Sequence, residues 1–205
     1  MHSQNLEEQY ILDYFKDKPN GTFLDIGCND CETFSNTRAL ALKGWSGVLI
    51  DPSEQAIARC RELYKGFKKQ FYIYPVAISK HNGKAILQES GPLINSRDVA
   101  LVSTFHESEM NRFKTTVNYT PTEVKTFKWK TFSNRLKSTS IQHFYFINLD
   151  IQGHELNVLP DIDLSQTSLV SIEWNSKPEL KKEYDKYLQG FKVIYTSGEN
   201  LLYAR

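Results

Sequence analysis

Phe23-Leu24-Asp25-Ile26-Gly27-Cys28-Asn29-Asp30-Cys31, followed by Ser35-Asn36-Thr37, is the stretch on which the reading of this chain turns. Its apolar start suits a buried strand, its acid and glycine a tight turn, and its hydroxyl-rich end the start of a helix. The next apolar run, Gly47-Val48-Leu49-Ile50, closes on a second acid, Asp51. Strand, glycine turn, helix, strand and acid is the order in which an open α/β sheet holds a nucleoside-bearing ligand. In that order the second carboxylate accepts from the ribose hydroxyls.

The glycines discriminate among such ligands. A dinucleotide turn needs Gly-x-Gly-x-x-Gly so that the backbone can approach a pyrophosphate. Here Gly27 stands alone, and Asp30 would place a carboxylate where the pyrophosphate sits. That pattern argues against a nicotinamide-dependent oxidoreductase. It suits a cationic ligand with a free amino group, such as S-adenosylmethionine.

Working outward, Ser3 to Phe15 has the spacing of an amphipathic helix with Ser3 as its N-cap. Thr22 to Ile26 and Ser46 to Ile50 read as buried strands, with a helix from Ser35 to Lys43 between them and Gly44 as its cap. Ser53 caps the next helix, whose Ile57, Cys60, Leu63 and Tyr64 share one face. Phe71 to Ser79 is strand-rich, and Asn82-Gly83 predicts a hairpin into Lys84–Gln88. Residues 89–122 lack periodicity and predict an irregular insertion, of the kind that serves as an acceptor-binding lid. A strand over Val124–Trp129 and a helix over Lys130–Leu136 follow. Phe144 to Leu149 is a strand ending at Asp150, and Glu155 to Leu159 a short helix stopped by Pro160. Ser168 to Trp174 is a strand, and Pro178 to Leu188 a helix with Leu180, Tyr184 and Tyr187 inward. Phe191–Thr196 and Leu201–Ala204 form a terminal hairpin. The expected fold is one α/β domain over residues 1–205, a mostly parallel twisted sheet flanked by helices with a terminal antiparallel hairpin.

The same residues resemble the FkbM-type methyltransferases. The likeness is carried by Asn20–Cys31 with Ser35-Asn36-Thr37, then Gly44-Trp45-Ser46-Gly47 through Asp51-Pro52, Pro75–Ser79, Asp150-Ile151-Gln152-Gly153-His154-Glu155 and Ile172-Glu173. It spans about Ser3 to Asn200. The resemblance implies a Rossmann-like class I fold and S-adenosylmethionine-dependent methylation of a hydroxyl, often on a sugar. Two departures stand out: Cys28 and Cys31 replace the family's usual Ala and Gly, and Gln152 replaces the middle acid of Asp-x-Glu-Gly-x-Glu.

Site expectations follow from the acids that close apolar strands, Asp25, Asp51 and Asp150, since ligands of such sheets bind outside the carboxyl strand ends. Asp25, Gly27, Cys28, Asn29 and Ser35 are expected at the methionine end of the cofactor. Asp51 is assigned to the ribose, and Val76 and Ala77 to the adenine. Asp150, His154 and Glu155 are the candidate catalytic residues. Ser103, Thr104 and His106 are candidate contacts to the acceptor.

Composition narrows the rest. A net charge of +1 does not mark a nucleic-acid binder. Nucleic acid remains a rival acceptor because Arg112, Lys114, Lys125, Lys128, Lys130, Arg135 and Lys137 cluster. The main expectation is a small-molecule or glycan acceptor, with that basic stretch suiting an anionic one such as a phosphorylated sugar. A cofactor-binding homologue without turnover is the other alternative, motivated by Cys31 and Gln152. The N-terminus lacks the pattern of a signal peptide, and no run reaches the about eighteen apolar residues of a membrane span, so a cytoplasmic protein is expected. Three cysteines there argue against a disulfide, and Cys28-x-x-Cys31 is read as two small side chains in a crowded turn, with no metal assigned.

Overall fold

The computed structural model describes residues 1–93 and 100–205. Seven strands form one sheet: β1 (Thr22–Ile26), β2 (Ser46–Asp51), β3 (Phe71–Pro75), β7 (Phe146–Leu149), β8 (Leu169–Glu173), β9 (Lys192–Thr196) and β10 (Asn200–Ala204). Their order is β3-β2-β1-β7-β8-β10-β9. β10 runs antiparallel to both of its neighbours, and the remaining pairings are parallel. Strand order reverses at β1, which lies between β2 and β7. A cleft therefore opens beyond the carboxyl ends of these strands.

The strands are almost continuously apolar because both faces are covered. Leu24, Val48, Ile147 and Val170 pack on one side with Phe132 and Tyr184, which belong to α5 (Trp129–Leu136) and α6 (Pro178–Tyr187). Phe23, Leu49, Phe146 and Leu202 pack on the other with Ile11, Leu40 and Ile57, from α1 (Glu7–Tyr14), α2 (Arg38–Leu42) and α3 (Glu54–Tyr64). Ser53 caps α3 as expected, its hydroxyl accepting from Ala56 N–H at 3.3 Å.

Several local expectations are corrected. The first helix starts at Glu7, and Ser3 instead forms a bridge with Phe34 and accepts from Glu8 N–H. The Asn82-Gly83 turn joins no hairpin. β4 (Ala77–Ile78) and β5 (Gly83–Ser90) both pair with β6 (Tyr119–Phe127), which lies between them. Asn82 Oδ1 accepts from Lys128 N–H at 2.9 Å, so its side chain serves β6's exit. The helix expected after Asp150 is two 3-10 turns, Glu155–Asn157 and Leu159–Asp161, since Pro160 admits no longer helix. Tyr187 is exposed.

The insertion is more ordered than its composition predicts. β5 and β6 form a long antiparallel ribbon, and the chain between them carries α4 (Glu107–Phe113) over the cleft. Thr104 Oγ1 donates to the Gln152 carbonyl at 3.0 Å, pinning the insertion to the loop after β7. Residues 94–99 of this insertion lie outside the described residues.

Candidate active site

Two polar rows cross the end of the sheet on the face covered by α1, α2 and α3. In the inner row Asp25, Asn148 and Ser171 stand in register on β1, β7 and β8. Asp25 is fully committed: Oδ1 accepts from Asn148 Nδ2 (2.9 Å) and Oδ2 from Thr37 Oγ1 (2.6 Å). Asn36 spans the row, donating from Nδ2 to Asn148 Oδ1 (3.0 Å) and Ser171 Oγ (3.3 Å). In the outer row Asp150 follows β7, Glu173 ends β8, and Asn200 lies opposite Glu173 on β10. Successive rows on one face lie two residues apart along each strand, so the sequence pattern Asn148-x-Asp150 and Ser171-x-Glu173 places all these groups together.

Above the rows lies a cavity of about 290 Å³. Its wall includes Asp25, Gly27, Cys28, Asn29, Ser35 and Asp51, the expected cofactor set, with Val76 and Ala77. Asp150, Gln152, His154 and Glu173 lie on the same wall, as does Ser103 of the insertion. Thr104 and His106 do not reach it, and neither does Glu155, whose Oε1 accepts from Ile151 N–H at 2.9 Å and Gly153 N–H at 3.3 Å. Glu155 therefore holds the turn after β7 rather than facing a ligand.

Gly27 has φ +87°, and a Cβ there would lie 1.7 Å from the Asp150 carbonyl oxygen. The residue must be glycine because the first turn packs directly on the backbone that carries Asp150. Asp51 takes one N–H on each oxygen, from Ser53 (2.8 Å) and Asn29 (3.0 Å). Each oxygen keeps a lone pair for a diol. Gln152, at φ +51°, turns its amide back between two acids, with Nε2 donating to Asp150 Oδ1 (3.1 Å) and Glu173 Oε1 (2.8 Å). Asp150 Oδ2 has no hydrogen bond among the described residues.

His154 is set by its neighbours. Its Nδ1 lies 2.9 Å from Asn157 Nδ2, which can only donate, and 2.7 Å from His106 Nε2. Nδ1 is therefore an acceptor, and the ring carries its proton on Nε2. Burial, reinforced by His106, pushes its pKa down to about 4, so the ring is neutral at pH 7. It can donate a hydrogen bond, but it is not placed to take a proton.

Carboxylates crowd this end of the fold. Burial raises Asp25 and Asp150 to about 6 and Asp51 and Glu155 to about 7. Burial, with Asp150 and Glu155 nearby, raises Glu173 well above the usual range. In each case the folded protein holds its proton more tightly than the unfolded chain, so these five carboxyls lower stability as pH rises from about 4, the unfolded range, through about 7. His154, held down at about 4, opposes them up to its unfolded value near 6.5 but is one group against five. Below about 4 the trend reverses as Glu109 and Asp185, both held below their ordinary values, are protonated. The ligand-free protein is accordingly expected to need more urea for unfolding at pH 5 than at pH 7.5. A higher midpoint at pH 7.5 would contradict this assignment.

The cysteine expectation is corrected. Cys31 and Cys60 form a disulfide with Cα atoms 5.4 Å apart, and the buried thiol of Cys28 lies beside it. The three sulfurs all lie within 4.8 Å of one another. Sequence spacing could not show this, because Cys60 comes from α3, 29 residues beyond Cys31. The bond ties the turn after β1 to α3. Reduction is expected to cost about 2–4 kcal/mol, lowering the melting temperature by about 5–15 °C. An unchanged melting curve under reductant would contradict it.

The sequence profile of the FkbM methyltransferase domain matches residues 25–193, most of the chain and every residue of the cavity wall named above except Asn200. The chain belongs to the FkbM methyltransferase family. It is therefore an S-adenosylmethionine-dependent methyltransferase. Among solved structures the FkbM domain is similar to a putative RNA methyltransferase, PH1948 from Pyrococcus horikoshii, at 10% identity over 97% of this chain and 80% of that one, with a TM-score of 0.52. That likeness supports the class I fold. It also aligns with monomeric WbdD (13% identity, TM-score 0.48), covering 98% of this chain but only 41% of WbdD. A third match is TrmK of M. capricolum in complex with S-adenosylhomocysteine, at 8% identity over 95% of this chain and 67% of that one, with a TM-score of 0.46. No curated protein matches the chain. No helix among the described residues is long and apolar enough to cross a membrane.

The wall of the FkbM domain fits its cofactor. On the cofactor side of the cavity both amide atoms of Asn29 and Asn36 Oδ1 are buried without a hydrogen-bond partner; Glu173 Oε2 and Asn200 Oδ1, also unpaired on the wall, lie at the opposite end. Buried polar atoms left unpaired are costly, and a polar ligand removes the cost. A wall rich in acids suits a sulfonium and repels a pyrophosphate. Sequence reasoning missed Asn148 and Asn200. The polar interruption in Phe146-Ile147-Asn148-Leu149 was a usable signal, whereas Asn200 reads as an ordinary turn residue.

Proposed function

We propose that this methyltransferase alkylates a hydroxyl of a sugar or glycan-type acceptor, with Asp150 as the base. The observation that carries this reading is the Asp150 carboxylate, which stands on the cavity wall with Oδ1 fixed by Gln152 and Oδ2 left open. The bound cofactor supplies an electrophilic methyl group on its sulfonium. An acceptor hydroxyl is a weak nucleophile until a base within hydrogen-bond reach takes its proton, and Asp150 Oδ2 is placed to do so. Gln152 holds the carboxylate without competing for the proton, because an amide N–H only donates. The neutral His154 ring offers an N–H to a second acceptor oxygen. Asp51 is assigned to the ribose diol, and Asn29 and Asn36 to the polar groups of the methionine end. Asp25 acts through Thr37 and Asn148, which it locks in place.

The test is incubation with methyl-labelled cofactor and a panel of free sugars, nucleotide-sugars and glycans, with RNA as a parallel acceptor. Label on a carbohydrate oxygen supports the reading. Label on RNA alone would replace it.

A further inference from the structure

Asp150 just after β7, Glu173 at the end of β8 and Asn200 at the start of β10 stand side by side on the cavity wall, at the end away from Asp51 and α3. The unpaired atoms at this corner are both oxygens. Glu173 Oε2 and Asn200 Oδ1 are unpaired, each on a residue at least nine-tenths buried. Burial holds a proton on the Glu173 carboxyl, and a cation bound beside it favours the charged, accepting form. Their other polar atoms are taken: Glu173 Oε1 by Gln152 Nε2 (2.8 Å), and Asn200 Nδ2 by Glu7 Oε1 (3.4 Å).

Charge points the same way. Asp150, Glu173 and Glu199 all line this end, and Trp174 N–H donates to the Glu199 carbonyl at 2.7 Å, holding that loop against β8. Among the described residues Arg112 is the one cation on the cavity wall, and its guanidinium already pairs with buried Glu109, which also binds Lys177. The basic stretch that suggested an anionic acceptor therefore puts little positive charge here. A hydroxyl donates one hydrogen bond and asks for others in return, whereas an ammonium donates three and asks for none. A buried corner of carboxyl groups and an amide oxygen is matched by the second, which becomes the counter-ion that lets Glu173 give up its proton.

Building on the methyltransferase reading above, we infer that this corner binds a cationic amino group on the acceptor, as in an amino sugar, with Glu173 and Asn200 as its recognition residues. The amino group is an anchor. The methylated atom is a neighbouring hydroxyl presented to Asp150.

Matched tetrasaccharides test this: a glucosamine tetramer, its fully N-acetylated form and the corresponding glucose tetramer. Each is titrated by calorimetry at pH 6 into the full chain loaded with S-adenosylhomocysteine. The amine form is expected to bind at least about tenfold more tightly than either of the others. Glu173→Gln and, independently, Asn200→Ala should reduce that preference to about threefold or less while leaving S-adenosylhomocysteine affinity within about threefold. Asn200→Ala keeps the test decisive if Glu173→Gln does not fold. Equal binding of the three tetramers, or binding of none, overturns the inference. So does a parallel loss of S-adenosylhomocysteine affinity in the variants, which would make the cofactor's own amino group the occupant. Failure of the wild-type chain to bind S-adenosylhomocysteine would instead strike the underlying methyltransferase reading.

Discussion

Asp150→Asn is expected to slow methyl transfer by about two to four orders of magnitude, the usual contribution of a positioned base. The substitution keeps size and shape, and the asparagine Oδ1 can still accept from Gln152 Nε2, so the loop after β7 should keep its course. S-adenosylhomocysteine affinity should change by less than about fivefold, because the cofactor's assigned contacts lie at Asp51, Asn29 and Asn36. The pH profile gives a second reading. Burial raises the Asp150 pKa to about 6, so the active carboxylate form gains population as pH rises through that value. The wild-type rate should climb across pH 5–7 and then level, and the variant's residual rate should lose that step. Undiminished transfer in Asp150→Asn, measured with saturating cofactor, removes Asp150 from the mechanism.

The largest structural effect is expected at Gly27. In Gly27→Ala the new Cβ would overlap the Asp150 carbonyl oxygen, and backbone carbon cannot swing aside as a flexible side chain can. The φ of +87° adds about 1–2 kcal/mol for any residue with a Cβ, and forced separation of the packed turn adds about 1–3 kcal/mol. A loss of about 3 kcal/mol or more in urea unfolding should accompany loss of cofactor binding. Gly66→Ala is the control. It has a similar φ of +89° but open space around it, so it should lose only the backbone contribution. Equal losses at the two sites would show that the close approach to Asp150 carries no weight.

The framework was readable in the sequence because its signals are local. Thr22–Ile26, Ser46–Asp51 and Phe146–Leu149 announce themselves as apolar runs closed by acids, and the Ser53 cap by its position before an amphipathic stretch. What escaped depends on contacts distant in sequence. Cys31 finds Cys60 only because the turn after β1 folds against α3. The small sheet places β6 between β4 and β5, which no local turn signal at Asn82-Gly83 can encode. Site residues divide in the same way. Asp51 and Asp150 close strands and were legible, whereas the unpaired oxygens of Glu173 and Asn200 emerge only from a register in which the last strand slots in beside β8. Glu155 shows the converse. An acid in a promising motif is spent on two backbone amides of its own turn.

The unpaired amide atoms of Asn29 and Asn36 give the methyl donor influence over how long the molecule survives. Donor at about a hundred times its dissociation constant would add about 2.7 kcal/mol to stability, and opening to a degradative form would become about a hundredfold rarer. Scarcity of donor would thus shorten the lifetime of the polypeptide as well as stall its reaction, so its abundance would follow the methylating capacity of its surroundings.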